Sequence, residues 1–359
     1  MRWRCFDRSL LPCVAAAFLV VYPLRAQSPG DASNPQASSR TEELGYRNAR
    51  DGTQLTGTLT VPAGQGPWPG IVLLSIAGTQ PLVDRLVESG YAVLTPERRG
   101  FVAVEPLLRA TFTDLADDVR AALDALGSRD EVDGRALALI AQADDAPPAM
   151  LAVPASEDPV PLVLLAPPAF PGVETFRLEQ RWQAERAGAG PEELEALDEY
   201  VMRIAEIAMS DSEPYVRAYR LEQLRAGTRV ELPRSASFPS DERQMHFFSS
   251  PLWHDRLAFD PESVLARLES PVLVLIGADD VNTPMGSYLD ALRRALSRAG
   301  TEDAGVCRIP GRTRHAFSPD AIEAIDAWLA LRVTSPAERR EERAGPPTGC
   351  LPDSEREAP

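Results

Sequence analysis

Six short apolar runs constrain what this chain can fold into more than any other feature. Ile71 to Ser75, Tyr91 to Thr95, Ala136 to Ala141, Pro161 to Ala166, Val272 to Ile276 and Gly305 to Ile309 are continuous rather than alternating, the pattern of strands buried on both faces. Helical segments lie between them. One carries Leu82, Val83, Leu86 and Val87; another, residues 113–127, puts Leu115, Val119, Ala122, Leu123 and Leu126 on one face; Tyr288 to Leu296 and Ala321 to Leu331 follow later. Repeated strand–helix units predict an α/β protein with a mostly parallel central sheet and helices on both faces. Ahead of them, Tyr46 to Asn48 and Leu55 to Val61 flank Asp51-Gly52, a pair that accepts positive φ and marks an antiparallel hairpin. Ordered structure is expected to begin near Leu44. Residues 170–265 interrupt the rhythm with a charged helical stretch, expected as a cap insertion over the ligand edge of the sheet.

The flanks have a different character. Arg2, Arg4 and Arg8 precede an apolar run from Leu10 to Val21, and Leu24-Arg25-Ala26 offers a cleavage site before Gln27. This is the layout of a secretory signal peptide over residues 1–26, with an exported, periplasmic or extracellular destination. The run is broken by Pro12 and is shorter than the roughly 20 apolar residues of a spanning helix. No stable membrane span is therefore expected after cleavage. Residues 27–40 are small, polar and proline-interrupted, a disordered linker; 41–333 form the folded domain; 334–359 form a charged, proline-rich disordered tail. Cleavage leaves Cys307 and Cys350, which are either one disulfide or two separate thiols.

Composition matters for what it excludes. The sequence has no lysine, so Schiff-base and phosphate-loop lysine chemistry are absent. A formal charge of −16 and pI of about 4.8 argue against nucleic acid and anionic membrane surfaces as partners. No glycine-rich nucleotide fingerprint or metal-ligand spacing occurs, so no cofactor and no metal are expected.

The chemistry should sit on the loops that leave the strands. Gly311-Arg312-Thr313-Arg314-His315 follows the run ending at Ile309, and Gly277-Ala278-Asp279-Asp280 follows the run ending at Ile276. In chain order, an acid and then a histidine on these two loops is the arrangement that activates a serine on a strand-to-helix turn written G-x-S-x-G. A serine oxygen is a poor nucleophile until histidine takes its proton, and the acid holds that histidine in the useful tautomer. Here the turn reads Ala141-Gln142-Ala143-Asp144-Asp145-Ala146, and its reactive position is Ala143.

These residues carry a family resemblance. The chain resembles bacterial carboxylesterases of the α/β-hydrolase superfamily, related to dienelactone hydrolases and acyl thioesterases, whose elbow reads I-G-L-I-G-H-S-E-G-G. The likeness runs from Arg47-Asn48-Ala49-Arg50-Asp51-Gly52 through Glu97-Arg98-Arg99-Gly100, Phe112-Thr113-Asp114-Leu115-Ala116-Asp117-Asp118-Val119 and Ser250-Pro251-Leu252-Trp253 to His315. It implies an α/β-hydrolase fold with His315 and Asp280 as the histidine–acid pair and Ala143 at the lost serine. It also implies an oxyanion side formed by Ile76, Ala77 and the backbone of Asp144. Family glycines are replaced by Ala141, Asp145 and Ala146, and Gln142 stands for the histidine before the serine. Asp145 fits poorly where strand and helix approach closely. Pro147 and Pro148 are tolerable in a first helical turn.

Two functional expectations follow: a pseudoenzyme with a binding or structural role, or a surviving ester or thioester hydrolase. The second would use His315 and Asp280 with Asp144 as nucleophile, or with activated water. A small acyl ligand is the partner considered; no protein partner is indicated. In the cap, Phe247, Phe248, Leu252, Trp253 and Phe259 either line an acyl pocket or pack the cap on the core. Leu194, Leu197, Tyr200, Val201, Ile204 and Ile207 read as cap packing, and His246 and His254 as surface or structural histidines.

Overall fold

Five of the six apolar runs become inner strands of one eight-stranded sheet, ordered β1-β2-β4-β3-β5-β6-β7-β8, and the sixth becomes the edge strand β8. The strands are β1 (Ser39–Arg47), β2 (Gln54–Pro62), β3 (Trp68–Leu74), β4 (Ala92–Pro96), β5 (Val132–Gln142), β6 (Leu162–Leu165), β7 (Val272–Gly277) and β8 (Ala304–Ile309). The β1–β2 and β2–β4 pairs are antiparallel and every other pair is parallel. The computed structural model describes residues 39–74, 78–100, 104–153, 159–228, 242–280, 285–299, 301, 303–314 and 317–333. Residues 1–26, read above as a signal peptide, most of residues 27–40, read as a linker, and residues 334–359, read as a tail, lie outside them, as do Cys5, Cys13 and Cys350.

Helices cover both faces. Before β6 come α1 (Gln80–Glu88), α2 (Glu105–Arg109), α3 (Phe112–Gly127) and α4 (Ala146–Ala152). Strand residues alternate sides with period two. Val72, Leu139 and Ala141 pack with α3 and α4, whereas Ile71, Leu73, Ala138 and Ile140 pack with α1 and the final helix. Between β6 and β7 run α5 (Gly172–Arg186), α6 (Pro191–Ala208), α7 (Pro214–Gly227), α8 (Glu242–Phe248), α9 (Pro251–Ala258) and α10 (Pro261–Leu265). The chain ends with α11 (Met285–Leu296) and α12 (Pro319–Ala330). The first five helices of the insertion have a core of their own. Leu194, Leu197, Tyr200, Val201 and Ile204 are buried in it, with Ile207 packed alongside.

Strand β1 begins at Ser39, ahead of the start expected near Leu44 and inside the stretch read as linker. It is an edge strand whose only partner is β2, with side chains that alternate between half-buried and exposed, so its polar composition gave no apolar signal. Strand β5 likewise starts at Val132, ahead of the run expected from Ala136: Asp133, Gly134 and Arg135 gave no apolar signal, yet Val132 and Asp133 pair with β3 before a register shift at Pro69–Gly70.

The motif segments converge. Asn48 Nδ2 donates to Asp118 Oδ1 at 2.6 Å, and the buried guanidinium of Arg99 donates to both Asp118 oxygens at 2.8 and 2.7 Å. Its remaining arm reaches Asp51 Oδ2 at 2.6 Å. Three sequence-distant segments are thereby pinned together beside the hairpin by charge-assisted hydrogen bonds. Thr111 and Asp114 close a capping box at the start of α3. Among the described residues no helix is long and apolar enough to cross a membrane. Cys307 is half of a disulfide whose other half lies outside the described residues.

Candidate active site

Strand β5 ends at Gln142, and the chain turns at Ala143 through a single 3₁₀ turn, Ala143–Asp145, straight into α4. Ala143 has φ of 52°, a left-handed conformation that costs a residue with a Cβ on the order of 1 kcal/mol or more. Ala166, at the end of β6 with φ of 46°, is the other non-glycine residue at positive φ among those described. Both line one cavity between the sheet's C-terminal edge and the helical insertion. Fully buried Ala141 and Ala146 let β5 and α4 close on the turn, and both prolines sit in the first turn of α4.

Asp145, the residue that fitted the turn poorly, is accommodated by an ion pair with Arg98 from the turn after β4. Its neighbour Asp144 points to the insertion, where Arg256 of α9 donates to it at 2.7 Å. Glu179 of α5 accepts from Arg314 at 2.9 Å and lies 3.8 Å from Arg256. Acids and arginines from five segments thus alternate across the cavity floor. Burial pushes the Asp144 carboxyl up, but the guanidiniums of Arg256, Arg314 and Arg98 outweigh it and hold it below the usual carboxylate range. At Asp145 burial dominates and keeps the carboxyl above that range despite Arg98.

The acid loop is equally well defined. Asp280 accepts from Gly277 N at 3.0 Å, Thr313 Oγ1 at 2.5 Å, Thr313 N at 3.0 Å and Arg314 N at 3.1 Å. Its carboxylate therefore grips the backbone immediately before position 315, while Asp279 is exposed. Gln142 Nε2 donates to Thr313 O at 2.6 Å, joining the elbow strand to the same loop. Gly277 permits this: a Cβ there would lie 2.4 Å from Gly311 O and 2.8 Å from Thr313 N. His315, Ile76 and Ala77 lie outside the described residues.

The rest of the cavity wall is largely aromatic and aliphatic. Phe112, Phe247, Leu252, Trp253 and Phe259 line it, whereas Phe248 packs inside the insertion, its ring centroid 4.6 Å from that of Trp253. Tyr288 of α11 also faces the cavity and donates its hydroxyl to Pro167 O. His246 is exposed, and His254 sits 3.3 Å from its chain neighbour Asp255. Among the described residues no cluster of potential metal ligands occurs. Arg256, Glu179 and Tyr288 carried no sequence signal, because their pairings cross from the insertion to the sheet; Arg98 and Arg314 lay in motifs without a role.

No known family and no curated protein matches the sequence. Among solved structures, the chain is similar to DcsB, determined in complex with its substrate analogue, at a TM-score of 0.53 and 15% identity, covering 82% of this chain and 100% of that one. An acetyl xylan esterase from Paenibacillus sp. R4 has 19% identity and a TM-score of 0.49, covering 87% of this chain and 90% of that one. A 2,6-dihydroxy-pseudo-oxynicotine hydrolase has 16% identity and a TM-score of 0.48, covering 82% and 68%. Likeness at these identities is likeness of fold.

Proposed function

Starting from an α/β-hydrolase fold with alanine at its positive-φ elbow, we propose that this chain is a disarmed relative of the carboxylesterases, kept to bind a small acyl compound rather than to turn it over. The observation that carries the reading is Ala143. Its backbone has the strained geometry that exposes a nucleophile to a cavity, yet its side chain is a methyl group. The hydrogen bonds that Asp280 accepts from the backbone of the loop before His315 support descent from a histidine–acid pair.

The alternative nucleophile is disfavoured by its surroundings. The Asp144 carboxylate is ion-paired to Arg256 and stabilised as an anion by two further arginines, which lowers its readiness to attack a carbonyl. Export belongs to the same proposal. The signal-like residues 1–26 and the disulfide at Cys307 both suit an oxidising compartment.

The test is acyl trapping. The natural protein is mixed with excess p-nitrophenyl butyrate, quenched in acid within a second to minutes, and weighed intact. The expected result is the unmodified mass at every time. A butyryl adduct on the chain, at Asp144 or elsewhere in the cavity, would overturn the reading.

A further inference from the structure

The polar end of the cavity holds more hydrogen-bond donors than its own acids use. Arg98, Arg256 and Arg314 all line it. Among the described residues each spends one guanidinium N–H in a hydrogen bond to a carboxylate, namely Asp145, Asp144 and Glu179. A guanidinium carries five N–H groups in a fixed fork, so most of these donors remain for water or a ligand. The electrostatic balance points the same way. The guanidiniums of Arg256, Arg314 and Arg98 together hold the half-buried Asp144 carboxyl below the usual carboxylate range against the cost of its desolvation. Asp145 takes a hydrogen bond from Arg98 and is held above the usual carboxylate range by its burial. The same cavity is also lined by carbon, from Phe112, Phe247, Leu252 and Phe259.

We infer that the ligand of this site is a carboxylate-headed amphiphile, with its head on Arg98, Arg256 and Arg314 and its chain along the aromatic wall. The inference rests on the reading of the cavity as an acyl-binding site and names its ligand class. A carboxylate matches the guanidinium fork with two parallel hydrogen bonds, whereas a neutral hydroxyl or ester oxygen accepts singly and an ammonium is repelled. With no serine at Ala143, no tetrahedral intermediate need form, and the arginine-rich floor serves a ground-state anion.

Calorimetric titration of the natural full-length protein with octanoate, octanol and octylamine at neutral pH tests it. Octanoate is expected to bind at least about tenfold more tightly than octanol, with octylamine weakest. In Arg256→Gln and in Arg314→Gln the octanoate preference should shrink to about twofold, read as the ratio of octanoate to octanol affinity within each variant, so that a general loss of binding cancels. Equal or tighter binding of octanol, a preference for octylamine, or an octanoate preference that survives both substitutions would overturn the inference. Absence of binding by all three probes would also overturn it. Acyl trapping is read separately, so failure of the disarmed-enzyme reading shows as an adduct whatever the head-group ratio is.

Discussion

Ala143→Ser is expected to raise p-nitrophenyl butyrate hydrolysis on the order of 100-fold above the natural chain, and His315→Ala in the same variant is expected to abolish the gain. The elbow already has the required backbone: φ is positive, the side chain faces the cavity, and α4 begins directly behind it. The acid loop is held by four hydrogen-bond donors. Removing the serine of a working triad costs on the order of 10⁶ in kcat, so the return of one hydroxyl has room for a much larger gain. The restraint comes from Asp144. In the arrangement that the resemblance implies, the backbone N–H of Asp144 would donate to a developing oxyanion, and its carboxylate, held by Arg256, would place negative charge nearby. Adding Asp144→Asn to the serine variant should therefore raise the rate again. Equal rates in the serine variant and the natural chain would mean that the site has decayed beyond its nucleophile.

Gly172→Ala should lower stability by about 3 kcal/mol, the upper end of the usual cost of overpacking, and the melting temperature by roughly 6–12 °C. Gly172 opens α5 where it crosses α9, and a Cβ there would lie 1.8 Å from Arg256 O and 2.7 Å from the Leu257 Cα. Those atoms are backbone, so no side chain can rotate away and the two helices must separate. Separation also breaks the 2.8 Å bond from Gly172 N to Phe259 O and displaces Arg256 from Asp144. Gly45→Ala is the control, because nothing lies within 4 Å of the Cβ it would add. A shift in melting temperature of less than about 2 °C for Gly172→Ala would contradict the close approach.

What the sequence revealed and what it hid have a common physical cause. Strands buried on both faces must be apolar throughout, so β3, β4, β5, β6 and β7 announced themselves in Ile71, Val93, Ile140, Leu164 and Val274, while the edge strand β8 showed through Val306, Cys307 and Ile309. The edge strand β1 faces water along Ser39-Arg40-Thr41-Glu42 and did not. The placement of Ala143 on a sharp turn and of Asp280 on a strand-end loop was legible because it depends on order along the chain, on the loops leaving β5 and β7. Asp145 looked like damage to the turn until Arg98 appeared opposite it, a pairing between positions 47 residues apart. The link from Asp144 to Arg256 spans 112 residues, and that from Glu179 to Arg314 spans 135. Spacing along a chain says nothing of such contacts. They arise where the insertion folds back over the sheet, and they determine which ligand the cavity suits.

The most direct measurement for the central claim is steady-state hydrolysis of p-nitrophenyl butyrate by the natural protein beside its own His315→Ala variant, from pH 6 to 9. Lack of a nucleophile predicts that both proteins follow the same low, non-saturating background at every pH. Saturable turnover by the natural protein that vanishes in His315→Ala would contradict it, and would mean that Asp144 or a water molecule does the work of the missing serine.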